Sequence, residues 1–181
     1  MNLYYYALSM VDLMVSKGRG WVTHELEMVQ DAESELPNYE VLFFDIDDTL
    51  NADQVGLDEA CCKLLNRYAE QYSVVLLTNC SERRAEQHRE NIKRYQCQAE
   101  LWEVGNKPNY PWLKKMILKR GWSEKKCAMF GDRPTMDIWC AYKAGFGGRF
   151  WVKSWVRNNT SNSITKRIKR WEWKQMRDAT N

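Results

Sequence analysis

The sequence has few of the residues that bind soft metals. It contains two histidines and six cysteines, and no two cysteines form a C-x-x-C pair. A structural zinc site needs four cysteine or histidine ligands at close spacing, so none is expected here. We therefore interpret the cysteines as reduced, mostly buried small apolar residues, as in a cytosolic protein.

The sequence also lacks a long apolar run. The first stretch, MNLYYYALSMVDLMVSKG, has no basic start, and Asp12 interrupts its apolar residues. A signal peptide requires a basic segment before its apolar run, and a membrane-spanning helix requires about 20 apolar residues. Neither is expected, so the sequence predicts a cytoplasmic protein. Its 181 residues, 44% hydrophobic and 28% charged, are typical of one globular domain with appended terminal segments.

Positive charge is concentrated at one end of the chain. Residues 150–181 carry eight Lys and Arg against two acidic residues, a net charge of +6, and the remainder carries −3. Tryptophans interleave with these basic residues (Trp151, Trp155, Trp171 and Trp173). This pattern suits an anionic membrane surface, which would make the protein peripheral at a membrane, or stacking on nucleic acid. The alternative is that the tryptophans pack the tail against the body.

Strand-like and helix-like segments alternate between residues 40 and 152. The apolar runs predict strands at 40–44, 74–77, 99–104, 127–130 and 149–152. Helical spacing and end signals predict helices at 57–72, 81–95, 108–121 and 134–145. Such alternation predicts an α/β fold, a three-layer Rossmann-like arrangement with a central parallel sheet. Outside it, residues 1–39 predict a helical extension ending in an irregular acidic link, and residues 153–181 a basic, Trp-rich tail with a helix.

Polar side chains follow the predicted strands where each strand ends. The first strand leads into Asp45, Asp47 and Asp48, the second into Thr78 and Asn79, the third into Gly105 to Pro108, and the fourth into Gly131, Asp132 and, five residues on, Asp137. Because the carboxyl ends of parallel strands share one edge, these groups should converge there. Crowded carboxylates repel one another unless a cation lies among them. The set therefore predicts a site for Mg²⁺ and a phosphoryl group.

These residues resemble the four motifs of the haloacid-dehalogenase phosphatase superfamily. The matches are D-x-D-x-T at Asp45 to Thr49, T-N at Thr78, K-P at Lys107, and G-D-x-x-x-x-D at Gly131 to Asp137. They occur in order, each after a predicted strand, and cover roughly residues 40–152. One departure is Met136, where relatives usually have a small polar residue.

The resemblance implies a role for each matched residue. Asp45 would be the nucleophile that forms an aspartyl-phosphate, and Asp47 the general acid and then the base. Thr78 and Lys107 would hold phosphoryl oxygens, and Asn79 is either a further phosphate ligand or a turn residue. Mg²⁺ would be bound by Asp45, the backbone carbonyl of Asp47, and Asp132, with Asp137 supporting the metal or Lys107. Asp48 matches no functional position and is interpreted as a loop residue.

The spacing between the motifs leaves no room for the large cap domain that many members of this superfamily insert. The site should be open apart from a small flap at residues 51–56. Lidless members tend to act on large substrates or to form oligomers that cover the site. The last strand and the basic helix are loosely similar to the phosphatidylglycerophosphate-phosphatase-like branch. We predict a phosphomonoesterase acting on a large or surface-bound substrate such as a lipid phosphate. The alternatives are a nucleic-acid-end or nucleotide phosphatase, and a binding or scaffold protein with vestigial activity.

Overall fold

The computed structural model describes residues 2–51, 55–102, 107–153 and 163–177. A six-stranded, all-parallel sheet runs through them in the order β1-β6-β5-β2-β3-β4. The strands are β1 (His24–Leu26), β2 (Val41–Phe44), β3 (Ser73–Leu77), β4 (Glu100–Trp102), β5 (Cys127–Gly131) and β6 (Gly148–Val152). From β2 the chain continues to β3 and β4 on one side, whereas β5 and β6 lie on the other. The topological switch point, where ligands bind in such sheets, therefore lies between β2 and β5.

Helices connect the strands and cover the sheet. They are α1 (Leu3–Ser16), α2 (Glu59–Ala69), α3 (Glu82–Arg94), α4 (Tyr110–Lys119), α5 (Trp139–Ala144, preceded by a π-helical turn at Pro134–Ile138) and α6 (Ser163–Arg177). Local chemistry sets several ends. The Asp58 side chain accepts a hydrogen bond from the Cys61 N–H at the start of α2, and Asn109 does the same for Trp112 in α4. Gly145, at φ 90°, ends α5 in the left-handed region.

The sheet has a hydrophobic core on each face. Successive side chains of a strand point to opposite faces, so Leu42 and Phe44 of β2 pack on one side and Val41 and Phe43 on the other. All four are at most 1% exposed. Such double burial is typical of a parallel strand with helices on both faces. The predicted α/β class with a central parallel sheet is confirmed.

The prediction of an irregular link after the first helix was wrong at one point. Residues His24–Leu26 form strand β1, which pairs with the edge of the sheet at β6. The His24 ring stacks on Phe150 with the ring centroids 4.7 Å apart. A three-residue edge strand with one buried side chain is too short to show the alternation of apolar and polar residues by which strands are predicted. Its pairing is determined by the neighbouring strand, which lies more than 120 positions away.

A third hydrophobic cluster joins both ends of the chain to the sheet. Its buried members come from all three predicted segments: Leu13, Trp21, Ile138, Trp139, Trp151 and Met176. Trp171 and Trp173 pack against it. Trp151, Trp171 and Trp173 therefore pack on the body, as the alternative for the tail tryptophans predicted. Trp155, the polar stretch before α6, and half of the predicted flap at 51–56 lie outside the described residues.

The cysteines are free thiols, and most of them are buried. All six thiols are free, and Cys61, Cys62, Cys127 and Cys140 are buried. Burial raises the pKa of Cys61 and of Cys127 to about 12, which keeps both as unreactive thiols. Over the described ranges, no helix has the length and apolar character needed to cross a membrane.

Candidate metal and phosphate site

The strand ends at the switch point open onto one cavity of about 240 Å³. The β2 extension is held there because the Asp45 N–H donates to the Phe130 carbonyl of β5 at 2.9 Å. All seven predicted site residues line the cavity, together with three that were not predicted, Arg133, Met136 and Lys169 (the predicted set is Asp45, Asp47, Thr78, Asn79, Lys107, Asp132 and Asp137). The structure thus brings the predicted residues together, and their individual roles stay predictions.

Lys107 bridges two carboxylates from different loops. Its Nζ lies 2.5 Å from Asp45 Oδ1 and 2.6 Å from Asp137 Oδ1, and the residue is 3% exposed. Burial alone would lower the pKa of Lys107, but Asp137 and Asp45 raise it above its usual range, so the ammonium stays charged. Burial raises the pKa of Asp45 to about 7, and Lys107 opposes that rise. The ion pair therefore favours an ionised Asp45 in a site that otherwise disfavours charge.

A second lysine, Lys169 of α6, makes the matching bridge. Its Nζ lies 2.6 Å from Asp48 Oδ2 and also contacts Asp132 Oδ2. Asp48 lies in the turn after β2, as predicted for a loop residue, but it is not incidental, because it is 1% exposed and ion-paired. Burial raises the pKa of Asp132, and Lys169 opposes the rise. Lys169 escaped prediction because it lies in a basic helix that has the composition of a solvated surface.

The carboxylates form a group that fits a divalent cation. Asp45, Asp132 and Asp137 are buried, and each offers an oxygen within 4.8 Å of the others. In the part of the chain that the structure describes, Asp132 Oδ2 and Asp137 Oδ1 receive lysine ion-pair contacts but no hydrogen bond of good geometry. Counted with Asp48, four carboxylates face two lysines, leaving a formal charge of −2. One divalent cation would balance that charge with the oxygen ligands that Mg²⁺ prefers.

Asp47 lies at the side of the site nearest α3. Arg84 of that helix donates to both of its oxygens, at 2.9 Å and 2.7 Å, and both side chains are about one quarter exposed. Two parallel hydrogen bonds fix the plane of a carboxylate more firmly than one. No pattern in the sequence indicates this arginine, because its helix is rich in charged residues.

The remaining predicted residues have different surroundings. Thr78 is 2% exposed at the end of β3, and its N–H donates to the Trp102 carbonyl at 3.3 Å. The Asn79 side chain donates to the Lys107 carbonyl at 2.7 Å and accepts from the Lys107 N–H at 3.1 Å. The Asn79 amide thus holds the loop that carries Lys107, and the two roles considered for this residue, phosphate ligand or turn residue, stay predictions.

The turn after β5 needs its glycine. A Cβ on Gly131 would lie 2.3 Å from the Asp137 Cβ, a distance at which the two side chains could not coexist. The Arg133 N–H donates to Asp137 Oδ2 at 3.0 Å. The close approach lets the π-helical turn return Asp137 to the edge of the sheet, and such turns recur at functional sites.

Helix α6 is attached to the same turn by a buried ion pair. Glu172 is fully buried and accepts from Arg133 Nε at 3.0 Å and Nη2 at 2.8 Å. It also accepts from the Thr135 hydroxyl. The acidic residue therefore binds the segment between Asp132 and Asp137 and holds α6 beside the cavity.

Fold and site together define an α/β protein with a buried carboxylate and lysine cluster at the switch point of a parallel sheet. No protein-family model and no curated protein sequence matches the chain. A solved structure that matches is that of an uncharacterized protein from Listeria monocytogenes serotype 4b, with 12% sequence identity and a TM-score of 0.50. The match covers 63% of this chain and 78% of that one. At this identity the likeness concerns the fold alone, and it agrees with the α/β class.

Proposed function

We propose that the protein is a Mg²⁺-dependent phosphomonoester hydrolase of the kind found among haloacid-dehalogenase phosphatases. The observation that supports this is the meeting of nucleophile, acid, lysine and metal-binding carboxylates in one cavity at the switch point (Asp45, Asp47, Lys107, Asp132 and Asp137). Attack on a phosphate requires a carboxylate nucleophile, a lysine to bind the phosphate oxygens, and further carboxylates close enough together to bind one cation.

In the proposed reaction, Asp45 attacks phosphorus with one carboxylate oxygen. The bond from phosphorus to the leaving oxygen breaks, and that oxygen takes a proton from Asp47. Water then attacks the aspartyl-phosphate and gives its proton to Asp47, while the bond from phosphorus to the Asp45 oxygen breaks. Inorganic phosphate leaves, and both aspartates return to their starting forms.

Several contacts support these roles. Lys107 holds Asp45 Oδ1 at 2.5 Å, which fixes the plane of the attacking carboxylate. Its ammonium also lies where transferred phosphoryl oxygens would carry negative charge. For Asp47 to reach the leaving oxygen, one of its two contacts with Arg84 has to be given up. Asp45 and Asp132, with Asp137 behind them, would hold Mg²⁺, whose charge would screen the nucleophile from the phosphate.

The size of the cavity bears on the substrate. Its volume of about 240 Å³ is below the roughly 300–1,000 Å³ of typical small-molecule sites. A cation, the waters that it keeps and a phosphoryl group would fit in it and leave little room for a bulky substrate. The rest of a substrate would lie outside, which favours a large or surface-bound phosphate such as a lipid phosphate.

The exposed faces of α1 and α6 favour an anionic membrane surface as the location of that substrate. The two helices pack on the same hydrophobic cluster, so their outer faces both point away from it. The outer face of α1 carries exposed large apolar side chains (Leu3, Tyr4, Leu8, Val11, Met14 and Val15). The outer face of α6 carries exposed Arg167, Arg170 and Lys174. Apolar residues beside basic ones suit lipids with anionic head groups.

Vesicle co-sedimentation tests this location. We expect the protein to pellet with phosphatidylserine-containing vesicles at low salt, because both apolar insertion and charge attraction contribute. Val15→Asp and Arg170→Glu should each reduce the bound fraction severalfold, as each removes one of these contributions. Lys63→Glu, on the exposed side of α2, is the matched charge control. Binding to oligonucleotides but not to vesicles would support the nucleic-acid alternative instead.

An assay on a panel of phosphomonoesters tests the reaction itself. The panel should include lipid phosphates, nucleotides, 3′- and 5′-phosphorylated oligonucleotides and sugar phosphates. We expect release of phosphate that requires Mg²⁺ and stops on addition of EDTA. No turnover on any member of the panel, with Mg²⁺ binding intact, would favour the scaffold alternative.

A further inference from the structure

Lys169 contacts two buried carboxylates of the site although it comes from the C-terminal helix. It lines the cavity, is 5% exposed, and lies more than 120 positions from Asp48 in the sequence. Lysine is almost never buried without a partner. Its burial at this point therefore reflects a specific use of the charge.

The two lysines of the cavity are arranged as counterparts. Lys107 joins Asp45, from the loop after β2, to Asp137, from the turn after β5. Lys169 joins Asp48 and Asp132 from the same two segments. Each lysine thus faces one carboxylate from either side of the switch point, and the cavity lies between them.

The position of Lys169 is fixed by the rest of α6. Three residues beyond it, Glu172 is held by Arg133 and Thr135. A further turn on, Met176 packs against Leu13 and Gly18, where a Cβ on Gly18 would lie 2.0 Å from the Met176 sulfur. Lys17 also donates to the Gln175 side chain at 2.5 Å. These contacts hold the helix in one register, with Lys169 facing the cavity.

We propose that Lys169 is a second anion-binding lysine of the site, acting with Lys107 on the oxygens of a bound phosphate. An ammonium has three N–H donors. Among the described residues Lys169 contacts two carboxylates, so one donor remains for an oxygen in the cavity. The choice of phosphate as the anion rests on the proposed function. The helix that carries Lys169 is then part of the binding site.

This role predicts opposite effects on a cation and on an anion. Replacing Lys169 by methionine keeps the apolar stem and changes the formal charge of the cluster from −2 to −3. Mg²⁺ should bind at least as tightly, because the site becomes more negative. Phosphate should bind more weakly, because it loses a charged donor and meets stronger repulsion. A residue that merely supports the fold would weaken both ligands in the same direction.

Titration calorimetry of the full chain tests the proposal, with Mg²⁺ alone and then inorganic phosphate at saturating Mg²⁺. For Lys169→Met we expect unchanged or tighter Mg²⁺ and about tenfold or greater loss in phosphate affinity. Lys169→Arg should retain most of the phosphate affinity, because it keeps the charge. Lys63→Met, at an exposed position of α2 away from the cavity, is the matched control and should behave as wild type.

A second variant keeps the test decisive if Lys169→Met fails to fold. Asp48→Asn is isosteric and suits the φ of 59° at this position, since asparagine adopts that conformation readily. It removes a carboxylate that Lys169 neutralises, so phosphate should bind more tightly and Mg²⁺ more weakly. Equal losses of both ligands in Lys169→Met, or wild-type protein that binds no phosphate, would overturn the proposal. Turnover enters none of these measurements, so absence of phosphatase activity alone would count only against the proposed function.

Discussion

Asp45→Asn should abolish Mg²⁺-dependent phosphate release, by about a thousandfold or more. An amide has nearly the shape of the carboxylate but is not a nucleophile toward phosphorus. The residue is 8% exposed, and in the variant Lys107 keeps the buried Asp137 carboxylate as its counter-charge, so the substitution should leave the fold intact. The measurement is the initial rate on the best substrate of the panel, beside the melting temperature with and without Mg²⁺.

The same substitution at another ion-paired aspartate distinguishes loss of catalysis from loss of stability. Asp12 of α1 is also ion-paired, to Lys143 at 2.9 Å, and accepts from the Trp139 ring nitrogen at 2.8 Å. Asp12→Asn should keep wild-type activity, because Asp12 does not line the cavity. In Asp45→Asn the stabilisation by Mg²⁺ should shrink, because one ligand loses its charge. Turnover by Asp45→Asn at a rate near that of wild type would remove Asp45 as nucleophile.

Glu172→Gln should destabilise the protein by about 3 kcal/mol, because Arg133, whose side chain is only 19% exposed, then loses its counter-charge. For a chain of this size the change corresponds to a fall in melting temperature of roughly 10 °C. Glu172 is fully buried, accepts three hydrogen bonds, and binds the turn that carries Asp137. Differential scanning calorimetry measures the change.

The control is an acidic residue whose ion pair is exposed. Glu82 of α3 pairs with Arg89 at 2.7 Å and its side chain is 84% exposed. Glu82→Gln should cost less than about 1 kcal/mol, since exposed pairs contribute little. Replacing both Glu172 and Arg133 by methionine should recover part of the loss, because no unpaired charge remains. A melting temperature of Glu172→Gln equal to that of wild type would show that this ion pair contributes little to stability.

Local pattern was sufficient for five of the six strands and for most of the site. Each central strand is an apolar run that ends at a polar residue, and parallel strands deliver those residues to one edge. Asp45, Thr78 and Asp132 could thus be placed together from the order of segments alone. The order of segments predicts where these residues lie but not what each does, so their roles stay predictions.

The sequence could not show which residues of α6 contact which residues of the body, because the two lie far apart along the chain. Lys169, Glu172 and Met176 share one helical face at spacings of three and four, but two of the three are charged. An apolar stripe marks a buried face, and a charged stripe is normally taken for a solvated one. Only the carboxylates and the arginine on the body show that this face is buried. Asp48 was misread for the same reason, because its partner is Lys169.

The ion pairs of α6 also bear on how the chain folds during synthesis. The sheet is complete once β6 has emerged, well before Glu172 is made. At that stage Asp48 and Asp132 have no ammonium between them, and Arg133 has no acceptor for its two donated bonds. Three charged groups destined for the interior then depend on water for solvation. A nascent chain at this length should be held in a loose state near the switch point, and α6 would consolidate that region once it has emerged from the ribosome.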